Sequence, residues 1–119
     1  YFWSILLHFQ LISNNFENGL NFWHSKDSYV SGNQIENNSK GIKLGWTENC
    51  IIENNNFLQN DIHSFFDNSN KDIWTYNYWD NWPFSIPKPI FGRMGKMSLI
   101  PWVIFDWNPV REPNRIGVE

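Results

Sequence analysis

At 119 residues, with 18% aromatic side chains, the chain has the size of one small domain and far too much ring surface for a disordered one. Its 9 Lys and Arg are scattered among 12 Asp and Glu, and the net charge of -3 excludes the clustered basic surface that nucleic acid requires. The lone cysteine, Cys50, excludes an internal disulfide and a cysteine-based zinc site, and no run of about 18 apolar residues is present to cross a bilayer as a helix.

The chain opens in an apolar stretch, residues 1–7, that reads as a strand already under way. It lacks the basic leader and small-residue cleavage site of a signal peptide, and it does not start with Met. The sequence is therefore expected to be the C-terminal part of a longer protein, with further rungs of that protein as its upstream partner.

From Leu11 onward apolar residues recur in columns. Asn14, Asn33, Asn55 and Asn77 are each followed two places later by a large apolar residue: Phe16, Ile35, Phe57 and Trp79, at intervals of 19, 22 and 22. Leu11, Val30, Ile52 and Trp74 stand five places before those residues. A third column holds Leu20, Ile42 and Ile62, and a fourth holds Phe22 and Leu44. Between the columns lie turn formers such as Glu17-Asn18-Gly19, Ser31-Gly32-Asn33 and Asp67-Asn68-Ser69-Asn70. Asn and Gly tolerate positive φ, and Asn bonds its own nearby backbone.

A unit of about 22 residues is too short for a strand–helix–strand crossover and shows no 3.6-residue period. It reads instead as one coil of a β-solenoid: two or three short strands with tight bends between them. Parallel coils stack at about 4.8 Å, so equivalent side chains lie above one another and each coil buries its apolar face only against its neighbours. The expected fold is all-β: a right-handed parallel β-helix of three to four rungs. The repeating Asn14, Asn33, Asn55 and Asn77 are expected to form a structural column, because stacked amides donate to one neighbour and accept from the next.

Proline divides the chain. None precedes Pro83, and all 6 lie from there onward. A proline removes a ladder donor and is kept out of central strands. Residues 1–82 are therefore expected to form the rungs and residues 83–119 an irregular capping tail. Trp79 and Trp82 just before the tail, with Phe84, Ile86, Phe91, Trp102, Phe105 and Trp107 within it, are expected to plug the open end. Arg93, Lys96 and Arg111 are expected to bond exposed carbonyls, Asp80 or Asp106.

Several motifs carry a family resemblance: Asn55-Asn56-Phe57-x-x-Asn60, Gly32-Asn33-x-Ile35-x-Asn37-Asn38-x-x-Gly41-Ile42-x-Leu44 and Asn77-Tyr78-Trp79-Asp80-Asn81. They resemble the NosD-type parallel β-helix repeats, a group that overlaps the carbohydrate-binding and sugar-hydrolysis β-helix class. The tail from Ile100 to Pro109, with Glu112-Pro113, resembles the endings of secreted or surface β-helix proteins. The resemblance covers about residues 11 to 113. It implies an extracytoplasmic location and, for the family's namesake, a role in supplying copper to a periplasmic reductase.

With Leu20, Ile42 and Ile62 inward, Asn21, Lys43 and His63 are expected to point out in one row, and His24, Trp46 and Phe66 in a second. Rings beside amides and an ammonium suit sugars, so these six are the candidate carbohydrate-binding residues. The competing reading packs the same rings under the tail. Two acid pairs, Asp27 with Asp67 and Glu48 with Asp72, are candidates for the carboxylate separation of about 5 to 10 Å that glycoside hydrolysis uses. However, no acid cluster stands out and no Arg precedes Arg93, so no catalytic residue is assigned. Copper would draw on Cys50, Met94, Met97, His8, His24 and His63. Cys50 adjoins an inward column and reads as a buried thiol, so no metal ligand and no cofactor is assigned. The expected function is a non-catalytic extracytoplasmic module, structural or bound to glycan or cell-surface polymer. The alternatives are the C-terminal part of a polysaccharide-degrading enzyme and a copper-delivery accessory.

Overall fold

The computed structural model describes residues 5–8 and 10–116. Three coils repeat the same three strands: β1 (Leu6–His8), β2 (Leu11–Ser13) and β3 (Asn18–Trp23); β4 (Tyr29–Ser31), β5 (Gln34–Glu36) and β6 (Lys40–Gly45); β7 (Ile51–Glu53), β8 (Asn56–Leu58) and β9 (Ile62–Asp67). A fourth coil starts with β10 (Ile73–Thr75) and β11 (Tyr78–Trp79) and then gives way to β12 (Lys88–Met94) and β13 (Ile100–Asp106). Every pairing between coils is parallel, as a right-handed parallel β-solenoid requires.

The bends explain why Asn is so frequent. Residues in the left-handed region recur at the same corner of successive coils: His24, Trp46 and Asn68; Asp27, Asn49 and Lys71; Gly32, Asn54 and Tyr76; Asn14, Asn37 and Gln59. A non-glycine residue there costs about 1–2 kcal/mol, least for Asn and Asp, whose side chains bond locally. The corner is therefore fixed by the stack even where a ring occupies it.

Inside, the files are Leu7–Val30–Ile52–Trp74 and Ile12–Ile35–Phe57–Trp79. Their upper members are fully buried, and the core coarsens from Val and Ile to a Phe57–Trp79 stack with centroids 4.2 Å apart. Each such side chain stabilises by about 1.5–3 kcal/mol. The first coil departs from the expected columns. Leu11 pairs with Gln34, and Phe16 is 99% exposed, so Leu7 and Ile12 hold the places assigned to them. Asn14 likewise stands outside the amide column, at a left-handed corner. Gln10 takes its level, its N–H donating to Asn33 Oδ1. The third coil departs at Ile62, which pairs with Lys40 and is half exposed, while Ser64 lies level with Ile42. The interval here is 22 residues, so Ser64 and Phe66 continue the inward places of Ile42 and Leu44, and His63 with Ser64 are buried as Gly41 with Ile42 are.

Two amide ladders run through the stack. In the first, Oδ1 of Asn55 accepts from the N–H and Nδ2 of Asn33, and Oδ1 of Asn77 accepts the same pair from Asn55, all at 3.0–3.1 Å. Asp106 Oδ2 ends the series, accepting from Asn77 N, Asn77 Nδ2 and Trp79 Nε1. The second passes from Asn15 through Asn38 to Asn60. Asn60 Nδ2 donates to His63 Nδ1, which leaves Nε2–H to donate to Asp80 Oδ1 at 2.7 Å. Along each ladder the side-chain acceptor lies on the next coil, so the last member need only accept, which a carboxylate does. Asp80 and Asp106 are thus engaged by the ladders rather than by tail cations.

The tail is a hairpin laid across the open end. β12 and β13 pair antiparallel, β12 continuing β9 at Gly92 and Arg93, β13 continuing β10 at Asp106, so one nine-stranded sheet wraps over the top. Pro89 and Pro101 lie beyond those short parallel contacts, where no donor to the solenoid is needed. A Cβ at Gly92 would fall 2.3 Å from the carbonyl oxygen of Phe66, so the junction demands glycine. Ile90, Ile104, Met94 and Trp82 close the core. Of the residues expected to plug it, Trp79 belongs to an interior file, whereas Phe84, Ile86, Phe91, Trp102 and Trp107 are exposed. Alternation turns Phe91 outward between buried Ile90 and Gly92, while Phe84, Ile86 and Trp107 lie outside the two strands.

Candidate functional site

The outer face of β3, β6 and β9 carries two files, Asn21–Lys43–Phe65 and Trp23–Gly45–Asp67. The corner that follows adds His24, Trp46 and Asn68 at φ near 50°, one per coil. Trp23 and Trp46 are 54% and 46% exposed. Gly45 makes room for the first of them: a Cβ there would lie 2.5 Å from the Trp23 ring, which therefore lies flat across the neighbouring coil. His24 stands edge-on to Trp23 at 4.8 Å and parallel to Trp46, 5° between planes and 6.3 Å between centroids. The parallelism follows from placing two side chains on the same corner of adjacent coils.

A depression of about 390 Å³ opens beside this corner, lined by Trp46, Thr47, Glu48, Asn68, Asn70 and Met94. Its far wall is pinned by the hairpin tip. Gly95 N–H donates to Asn68 Oδ1 at 2.7 Å, Asn68 Nδ2 donates to Ser98 Oγ, and Ser98 Oγ donates to Asp67. Ring, carboxylate and amides thus converge on one rigid edge.

Four of the six expected exterior residues are here: Asn21, Lys43, His24 and Trp46. The other two are not. Phe66 is fully buried, level with Phe22 and Leu44, and Asn68 holds the corner place. His63 is 7% exposed, and Phe65 follows Asn21 and Lys43 in its stead. Both corrections stem from register: the third coil follows the second at 22 residues, not 20, so Phe66 falls level with Leu44 and His63 with Gly41. Burial pushes the His63 imidazole below its usual pKa against the pull of Asp80, and Lys88 adds to the lowering. Trp23 was legible as an outward ring, since it alternates with the buried Phe22. Glu48 and Asn70, joined across coils by a bridge, carried no such signal.

The acid pairs do not form carboxylate couples free for chemistry. Asp67 is tied to Ser98. Asp72 accepts from Thr47 Oγ1 at 2.6 Å and from Cys50 N–H at 2.8 Å, and burial raises its pKa.

A family model described as periplasmic copper-binding protein (NosD) matches residues 5–82. Searches of the curated proteins and of the solved structures returned no match. The donors that copper would need do not converge. Cys50 is fully buried, with its Sγ against the carbonyls of Ser25 and Glu48; both His63 nitrogens are engaged; and Met97 is 80% exposed at the hairpin tip. The His8 side chain lies outside the described residues. Among those described, no group of three or more His, Cys, Asp or Glu is placed to hold a metal ion, so the described residues do not fit a copper centre. The family rests on the repeat instead: the model spans well over half of the chain and coincides with the stacked coils, so this chain belongs to the NosD family.

Proposed function

We propose that the chain is a non-catalytic, extracytoplasmic β-helix module, with residues 1–82 as solenoid and residues 83–119 as cap, and that it binds glycan at the corner of Trp23, His24 and Trp46. The observation that carries this reading is the pair of half-exposed tryptophans on adjacent coils, each fixed by backbone geometry rather than by a mobile loop. Indole faces take the apolar C–H side of a sugar ring, while Asn68, Asn70 and Glu48 are within the same depression to bond hydroxyls. A preformed site loses little side-chain entropy on binding. The family's periplasmic description supports the extracytoplasmic location.

Affinity electrophoresis through gels containing soluble polysaccharides tests this. The wild type should be retarded by at least one polymer, and Trp23→Ala with Trp46→Asn should migrate freely while melting normally. Asn is chosen because Asn68 already occupies the equivalent corner. Equal retardation of wild type and the folded double variant would refute the site.

A further inference from the structure

In a lid over a solenoid, the outward positions of a hairpin face water and are expected to be polar. Here they are not. Phe91 lies opposite Val103 and Arg93 opposite Pro101 on the outer face, and Phe91, Pro101, Trp102 and Val103 line one apolar depression. A second depression sharing Val103 carries it to Trp107, whose ring is 5.0 Å from Phe105. Contiguous apolar surface of this kind marks an interaction site.

The charge around it selects the partner. Residues 1–82 hold 4 Lys against 9 Asp and Glu, a net -5, whereas residues 83–119 hold 5 Lys and Arg against 3 Asp and Glu, a net +2. One of those three acids, Asp106, is sealed inside the ladder. Arg93 stands on this face opposite Pro101, Lys71 lines the second depression beside Asp72, and Lys96 is exposed near the hairpin tip. Large aromatic and aliphatic side chains beside cations are the make-up of a surface that inserts shallowly between anionic headgroups.

We infer that the cap hairpin docks on an anionic lipid surface, with Phe91, Trp102 and Val103 at the acyl boundary and Arg93 and Lys96 among the phosphates. The solenoid axis then stands on the bilayer and its coils project away from it. This inference is independent of the glycan reading.

The test is flotation of the purified chain with vesicles of mixed phosphatidylglycerol and phosphatidylcholine, or of phosphatidylcholine alone, at low and high salt. The chain should float with the anionic vesicles at low salt. Phe91→Ala with Trp102→Ala should weaken partitioning by about tenfold or more, since it strips two large rings from the contact. Arg93→Gln with Lys96→Gln should erase the preference for anionic lipid, and Trp23→Ala with Trp46→Asn should float as the wild type does. The inference is overturned if the wild type floats with neither vesicle, or if folded Phe91→Ala with Trp102→Ala floats undiminished. It is also overturned if sedimentation shows a dimer that those two substitutions dissolve without any vesicle binding, because the face is then covered by a second copy.

Discussion

Replacing Asn55 by alanine should cost far more than a polar-to-alanine change of its size ordinarily does. The side chain is fully buried and makes four hydrogen bonds: Oδ1 accepts from Asn33 N and Asn33 Nδ2, and Nδ2 donates to Val30 O and Asn77 Oδ1. Truncation removes four hydrogen bonds from the stack, each worth about 1 kcal/mol, so the expected loss is about 4 kcal/mol. For a chain of this length that corresponds to a Tm lower by about 15 °C. Asn15→Ala is the control, since Asn15 occupies the exposed end of the second ladder, where water replaces what is lost. Urea unfolding followed by circular dichroism measures both. Costs within about 1 kcal/mol of each other would refute the argument, because the amide file would then be contributing no more than surface polarity does.

Other outcomes follow from single contacts. Trp79→Phe should destabilise by about 2–3 kcal/mol more than Trp74→Phe in the same assay, because Trp79 Nε1 donates to Asp106 while Trp74 Nε1 is buried without a partner. Gly45→Ala pushes only on the exposed Trp23 ring and should leave the melt within about 1 kcal/mol while reducing polysaccharide retardation; Gly92→Ala meets the Phe66 carbonyl and should prevent folding of the cap. His63, with its pKa depressed by burial, contributes stability that is present above the unfolded value of about 6.5 and lost as pH falls through the folded value. The urea midpoint should therefore drop on acidification below about pH 6.5, and His63→Gln should flatten that part of the profile.

The solenoid was legible because a 22-residue spacing holds from Val30 through Ile52 to Trp74, and stacking alone explains such a period. The first coil was not, because Asn14-Asn15-Phe16 copies the motif of Asn55-Asn56-Phe57 while sitting at the next bend, and Gln10 stands at the level of the ladder with its backbone N–H on Asn33. His63 and Phe66 were misplaced for a related reason. Ile62 resembles an inward partner for Ile42, but the coils keep their 22-residue interval, so Ser64 takes that place and Ile62 falls level with Lys40. In the tail, proline and aromatic content announced a change of structure but not its direction. Which rings cover the core depends on the hairpin register, and that is set by Gly92 and Asp106 meeting the coils below. The corner of Trp23, His24 and Trp46 was half visible, as rings at a fixed spacing without the glycine that lets one of them lie flat.

Because each asparagine oxygen of the first file accepts from the coil before it, with Asp106 as the last acceptor, the scaffold has a sense. A duplicated coil entering between existing ones finds an acceptor ahead and a donor behind, so the protein can lengthen by whole units without redesign. Beyond Asp106 no such newcomer is welcome: the carboxylate has nothing to hand on, and the growth of the stack is written to stop there.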